Sequence, residues 1–94
     1  MELDRVIHQP IRTRIMAYLA SHGPTDYVTL RSDLGLTDGH MTTHMRELIG
    51  SEYVSFEKDF VDNKKPRTTY KLSPTGRKQF GAYIKTLKEI IRGG

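Results

Sequence analysis

Apolar residues recur at helical spacing in the first half of the chain, alternate through a central stretch, and return to helical spacing at the end. Ile11, Ile15, Tyr18 and Leu19 mark one helix face, opened by Pro10 in the first turn and stopped by Gly23-Pro24. Val28 to Leu34 fits a second, shorter helix, with Leu30 and Leu34 one turn apart and Gly35 supplying a left-handed end. A third begins at Thr37, whose hydroxyl can accept from a first-turn N–H. Its inner face is Met41, Met45 and Leu48 with His44 beside them, and its outer face is Gly39, Thr43 and Arg46 flanked by His40, Thr42 and Glu47. Tyr53 to Val61, where Val54, Phe56 and Phe60 alternate, predicts a strand, and Thr68 to Leu72 predicts its partner. The residues between them, Asp62 to Arg67, form the tip of a hairpin. Ser73-Pro74 then caps a last helix carrying Phe80, Ile84, Leu87 and Ile91, with Tyr83 and Ile90 widening the stripe. The expected architecture is mainly α with a small β-hairpin, in the order helix, helix, helix, strand, strand, helix.

Three segments carry a family likeness that extends over nearly the whole chain. They are His8-Gln9-Pro10-Ile11-Arg12, Leu36-Thr37-Asp38-Gly39-His40, and the run from Lys64-Lys65-Pro66-Arg67 through Tyr70-Lys71-Leu72-Ser73-Pro74 to Thr75-Gly76-Arg77. In them the sequence resembles the small winged-helix transcriptional regulators of the MarR and ArsR type, the compact winged helix DNA-binding domain proteins. The resemblance implies a winged helix-turn-helix whose hairpin is the wing. It also implies a dimer that presents two third helices to successive major grooves roughly 34 Å apart. One position departs from the family pattern: Glu52 stands where a glycine usually precedes the first wing strand, with Gly50 two residues earlier. The end of the third helix is therefore expected to be shifted or strained.

Length and composition narrow the possibilities further. Ninety-four residues hold one modest core, so residues 1–94 are expected to form a single domain whose terminal helical segments serve dimerisation. The chain has no cysteine, which removes disulfides, thiolate nucleophiles and zinc ribbons and fits a reducing cytoplasm. No apolar run approaches a membrane span and the start lacks a signal-peptide layout, so a soluble cytoplasmic protein without a membrane partner is expected. The formal charge of +4 is unevenly spread: residues 1–63 carry −4 and residues 64–94 carry +8. Such asymmetry suits attraction to a polyanion by one part of the surface. No nucleophile elbow, metal-binding helix motif or phosphate-cradling glycine loop is present, so neither catalysis nor a cofactor is expected. His40 and His44 lie one helical turn apart, but no third ligand is near them in the sequence, and no metal site is expected.

The candidate interface has three parts. On the third helix Thr37, Gly39, His40, Thr42, Thr43 and Arg46 would meet double-stranded DNA. Arg46 is suited to a bidentate contact with guanine or a phosphate clamp, although pairing with Glu47 or Glu52 would serve equally as a surface role. On the wing Lys64, Lys65 and Arg67 surround Pro66, placed for phosphates or for a narrow minor groove, although a charged hairpin also guards against edge pairing. Leu3, Val6, Ile7, Phe80, Tyr83, Ile84, Leu87, Ile90 and Ile91 form more apolar surface than one peripheral helix needs and are assigned to a homodimer interface. The expected function is a sequence-specific regulator, a repressor acting by operator occupancy, with no effector identifiable. The principal alternative is a winged helix that binds an acidic protein partner, and a weaker one is RNA binding.

Overall fold

The computed structural model describes residues 2–62 and 64–93. Its elements are α1 Pro10–His22, β1 Thr25–Asp26, α2 Tyr27–Leu34, α3 Asp38–Gly50, β2 Val54–Val61, β3 Lys65–Leu72 and α4 Pro74–Ile91. Each helix begins on a side-chain oxygen that satisfies an orphan first-turn N–H. Gln9 accepts from Arg12 N at 2.9 Å, Asp26 from Thr29 N at 3.1 Å, Thr37 from His40 N at 3.0 Å and Ser73 from Gly76 N at 2.8 Å. Gly35 ends α2 in the left-handed conformation, φ +64°.

The order expected from the sequence is realised with one addition and, apart from one-residue shifts at the starts of α2 and β2, one change of boundary. The addition is β1, whose two residues are too few to leave an alternation signal. Thr25 pairs with Tyr70 and Asp26 with Thr69, so the antiparallel sheet runs β1-β3-β2. The boundary concerns the hairpin: β3 starts at Lys65, not at Thr68, and Lys65, Pro66 and Arg67 belong to a strand and not to the tip. Proline read as a turn residue, yet it is tolerated in a strand where its missing N–H faces an open edge. β1 ends opposite Thr69, which leaves that side of Pro66 unpaired. The loop shrinks to 62–64, with Lys64 N donating to Val61 O at 3.2 Å and Asp62 at φ +55°. Asn63, counted within the expected tip, lies outside the described residues.

The core joins Ile15, Met16 and Leu19 of α1 to Leu30 of α2, Met41, Met45 and Leu48 of α3, and Val54, Tyr70 and Leu72 of the sheet. Two residues assigned to a dimer interface are also inside it. Ile7 is fully buried and Tyr83 is 4% exposed, so neither has a surface to offer a partner. The short N-terminal arm folds back because Asp4 accepts from Val6 N at 2.8 Å and Ile7 N at 3.1 Å, and this turn points Ile7 inward. Tyr83 is fixed from the other side by His8 Nδ1, 2.9 Å from its hydroxyl.

The departure at Glu52 is absorbed locally. Helix α3 runs to Gly50, and Glu52 takes φ +63°, the left-handed conformation that favours glycine. A side chain there costs about 1 kcal/mol. Tyr53 N still reaches Leu48 O at 2.9 Å, and the strand register is kept, with Val54 opposite Leu72. At the same corner α4 docks against the backbone: Ser73 N donates to Tyr53 O at 3.0 Å and Ser73 Oγ to Glu52 O at 2.5 Å. A β-carbon on Gly76 would lie 1.9 Å from Tyr53 O, so only glycine allows this approach.

Two substitutions at this corner should act in opposite directions. Gly76→Ala must push α4 off the backbone of Tyr53 and is expected to cost about 3 kcal/mol. Glu52→Gly relieves the left-handed strain, less the added flexibility of the unfolded chain, and should gain about 0.5 kcal/mol. Urea unfolding midpoints at constant slope measure both.

Candidate nucleic-acid interface

Helix α3 is oriented at its first residue. Asp38 accepts from Tyr27 Oη at 2.6 Å and lies 3.6 Å from Arg31 Nε, so one carboxylate ties α2 to the start of α3. The hydrogen bond to that carboxylate, aided by burial, pushes the Tyr27 phenol above its ordinary pKa. Arg31 Nε is buried without a hydrogen bond, which makes the Asp38 charge its electrostatic partner. A helix-turn-helix needs this angle fixed, because the second helix can follow a groove only if the first holds it proud of the body.

With Met41, Met45 and Leu48 turned inward, Gly39, His40, Thr42, Thr43, Arg46 and Glu47 are all exposed. Among the described residues Thr42, Thr43 and Arg46 have no intramolecular side-chain hydrogen bond, and Arg46 pairs with neither Glu47 nor Glu52. Their polar groups point outward unsatisfied except by solvent. Thr37 and His40 are differently placed, since they cap each other: His40 N donates to Thr37 Oγ1, and His40 Nδ1 accepts from Thr37 N at 3.3 Å. That acceptor role leaves the proton on Nε2 as the group His40 can offer outward. Gly39 has only Thr37 Oγ1 near its missing side chain, at 3.7 Å, and its backbone is open to close approach.

His44 stands at the border of this face and belongs to the body. Its Nδ1 accepts from Arg12 Nη1 at 3.1 Å, while Arg12 Nε donates to Val6 O at 2.5 Å. Burial, with the adjacent Arg12 charge and His40, holds the His44 pKa below its ordinary value, against a smaller opposing effect of Glu47. His40 and His44 thus both have Nδ1 engaged within the chain. Among the described residues no cluster of three or more His, Asp or Glu side chains is placed to hold a metal ion.

The hairpin register sorts its side chains onto two faces. One carries Val54, Phe56, Lys58 and Phe60 opposite Leu72, Tyr70, Thr68 and Pro66. The other carries Glu57, Asp59 and Val61 opposite Thr69, Arg67 and Lys65. Arg67 is spoken for: Nη2 and Nε donate to the two oxygens of Asp59 at 3.0 and 3.2 Å. The guanidinium holds the Asp59 carboxyl below the usual range, and the carboxylate in turn raises Arg67. Lys64 and Lys65 are exposed and, among the described residues, without an ion pair.

A position that sequence reasoning did not single out is Lys58. It faces a groove of about 360 Å³ between the hairpin and the start of α2, with Tyr27, Val28, Pro66 and Thr68 along it. The alternation of β2 carried that signal once the partner strand was known to extend to Lys65. Of the remaining residues assigned to a dimer surface, Leu3, Val6, Phe80, Ile84 and Leu87 are partly covered by the core, while Ile90 is exposed and Ile91 is 74% exposed.

Residues 11–91 match the family model described as the winged helix DNA-binding domain. A sequence relative, an uncharacterised protein of Methanocaldococcus jannaschii, is 24% identical over 88 residues, covering 94% of this chain and 95% of the relative. The solved structure of a transcriptional regulator homologue from Pyrococcus horikoshii superimposes with a TM-score of 0.87 at 26% identity, covering 96% of this chain and 88% of that one. A MarR-family regulator structure from Porphyromonas gingivalis gives 0.71 at 16% identity over 93% of this chain and 83% of its own, and that likeness concerns the fold alone.

The depressed pKa of His44 has a consequence for stability. Above its unfolded value near pH 6.5 both states are neutral, and the contribution to stability is flat. As pH falls below that value the unfolded chain takes up a proton that the folded one resists, so stability declines. Thermal unfolding between pH 7.5 and 5.5 should show this decline in the native protein and a flatter profile in His44→Gln; parallel profiles would contradict it.

Proposed function

The chain belongs to the winged helix DNA-binding domain family and is a DNA-binding regulator by fold, and from that premise we propose that it is a homodimeric, sequence-specific repressor that acts in the cytoplasm by occupying its operator. The observation that carries this reading is the outward face of α3, where Thr42, Thr43 and Arg46 present polar groups that nothing among the described residues satisfies. Arg46 supplies base readout. Thr42 and Thr43 offer hydroxyls and methyls, Gly39 allows close approach, and Thr37 and His40 hold the helix start with the His40 Nε2 proton turned outward. Lys64 and Lys65 set the protein on the phosphates, and Arg67 joins them only by leaving Asp59.

A dimer rests on the apolar end of α4. Ile90 and Ile91, continued by Ile84, Leu87, Phe80 and by Leu3 and Val6 of the arm, offer a self-complementary strip that isologous contact would cover. Residues 1–94 then act as one domain in which the terminal segments pair the subunits.

Selection from random-sequence duplexes, followed by mobility-shift titration on the enriched site, tests this function. Two phosphate-contacting lysines per subunit in a dimer should give a logarithmic salt slope of about −4. Arg46→Ala should lose roughly 1 to 3 kcal/mol on the preferred site and relax its base preference, whereas Lys64→Ala or Lys65→Ala should weaken all sequences alike and flatten the slope by about one per contact. Enrichment of no sequence would overturn the reading.

The cross-strand ion pair generates a separate expectation. Asp59→Asn releases Arg67 for phosphate contact and should steepen the slope by about one per subunit while tightening binding at low salt. An unchanged slope would mean that Arg67 serves only to tie the strands.

A further inference from the structure

The outer half of the hairpin spends its two faces very differently. Period-two alternation puts Glu57 and Asp59 on one face, and on the other it leaves Phe56, Lys58 and Phe60 with no strand carboxylate among them. Phe60 is 69% exposed and stands directly opposite Pro66, also exposed, well beyond the core residues Val54 and Leu72 at the base of the sheet. A phenyl ring there is neither in the core nor packed against it. It is also the wrong residue for guarding a strand edge, which lysine does at no cost in exposed apolar surface.

We propose that Phe60, backed by Pro66, is an apolar wedge that enters the minor groove and partly unstacks a base step, so that the protein unwinds and bends the duplex it occupies. The inference rests on the DNA-binding reading above and adds a deformation to it. Apolar side chains used in this way need a stiff support and cations on either side for the flanking phosphates. The hairpin supplies both. The Asp59–Arg67 pair clamps the two strands immediately beside Phe60 on the reverse face, with both oxygens engaged. Pro66 stiffens the opposite strand. Lys58 lies two residues before Phe60 on the same face, and Lys64 and Lys65 follow the turn. The carboxylate along the adjoining groove, Asp26, is occupied as the α2 cap. Around the ring the cations Lys58, Lys64, Lys65 and Arg67 outnumber the carboxylates Asp26, Asp59 and Asp62, and this balance favours nucleic acid over a second copy of the chain as the occupant.

Closed-circular plasmid relaxed by a topoisomerase at low salt in the presence of the protein tests the wedge without knowledge of the operator. The native protein should shift the linking-number distribution after deproteinisation, and should raise the fluorescence of 2-aminopurine placed at TA steps of an A·T-rich duplex. Phe60→Ala should bind the same plasmid within roughly tenfold, through phosphate contacts that remain, yet lose the shift and the fluorescence rise. Phe60→Leu, which keeps an apolar wedge, should retain part of both. Binding by the native protein with no shift, or a shift that survives Phe60→Ala, overturns the wedge and leaves the regulator reading intact. No plasmid binding at low salt overturns both. A fall in sedimenting mass on Phe60→Ala with topology unchanged would assign the ring to contact between copies and likewise overturn the wedge.

Discussion

The corner at Glu52 and Tyr53 is the constraint on which the rest of the molecule depends. Two consecutive residues receive the end of α3, the start of β2, the first turn of α4 and the N-terminal arm. Tyr53 N closes on Leu48 O, its carbonyl accepts from Ser73 N, and its hydroxyl donates to Asp4 at 2.6 Å. That last bond, with partial burial, pushes the Tyr53 phenol up to about 12. Because α3 and the hairpin meet at this corner, their relative placement is set by backbone hydrogen bonds more than by flexible side chains. The strain of a left-handed Glu52 and the demand for glycine at position 76 are what that rigidity costs locally.

A second set of contacts steadies α3 from the side of the body. Arg12 bridges the carbonyl of Val6 and the ring of His44, and Thr13 Oγ1 donates to Ile7 O at 2.5 Å, so the arm, α1 and α3 are held as one unit. At the other end Asp38 binds α2 to α3 through Tyr27 and Arg31. The start of α3 and its midpoint at His44 are therefore tied to the body by hydrogen bonds at the edge of the core, which steadies Thr42, Thr43 and Arg46 on the outward face. Preorganisation of this kind lowers the ordering cost that binding would otherwise incur.

The helices were legible in the sequence because caps, periodicity and terminators agree: Pro10 against Gly23, Thr37 before Met41, Ser73-Pro74 before Phe80. The outer face of α3 followed directly from the same spacing. What could not be read depends on partners distant in sequence. Strand β1 is defined only by its pairing with Tyr70 and Thr69. Arg67 looked available because its neutralising Asp59 lies across the hairpin, in a register hidden by the apparent turn at Pro66. Ile7 looked uncovered because the Asp4 turn that buries it is a three-residue capping contact, not a helical repeat. Glu52 was visible as an anomaly, and its resolution by positive φ required the backbone.

The economy of the α3 face is an argument for the proposed dimer. One bidentate arginine contact discriminates between bases by about 1–3 kcal/mol, and specific sites are set apart from the genomic background by about 4–10 kcal/mol. Arg46 is the long cation on the outer face of α3, so a single subunit falls short of that range on direct readout. Two subunits on an inverted repeat, as proposed, would double the readout without a second cation on α3. The remaining discrimination then falls to threonine contacts and to the deformability of the site, and a wing that carries a rigid apolar ring among lysines would read deformability directly, because flexible steps cost less to unstack than stiff ones. On the proposed reading α3 would read base edges, the wing would read shape, and the corner at Tyr53 would keep the two in fixed register along the duplex.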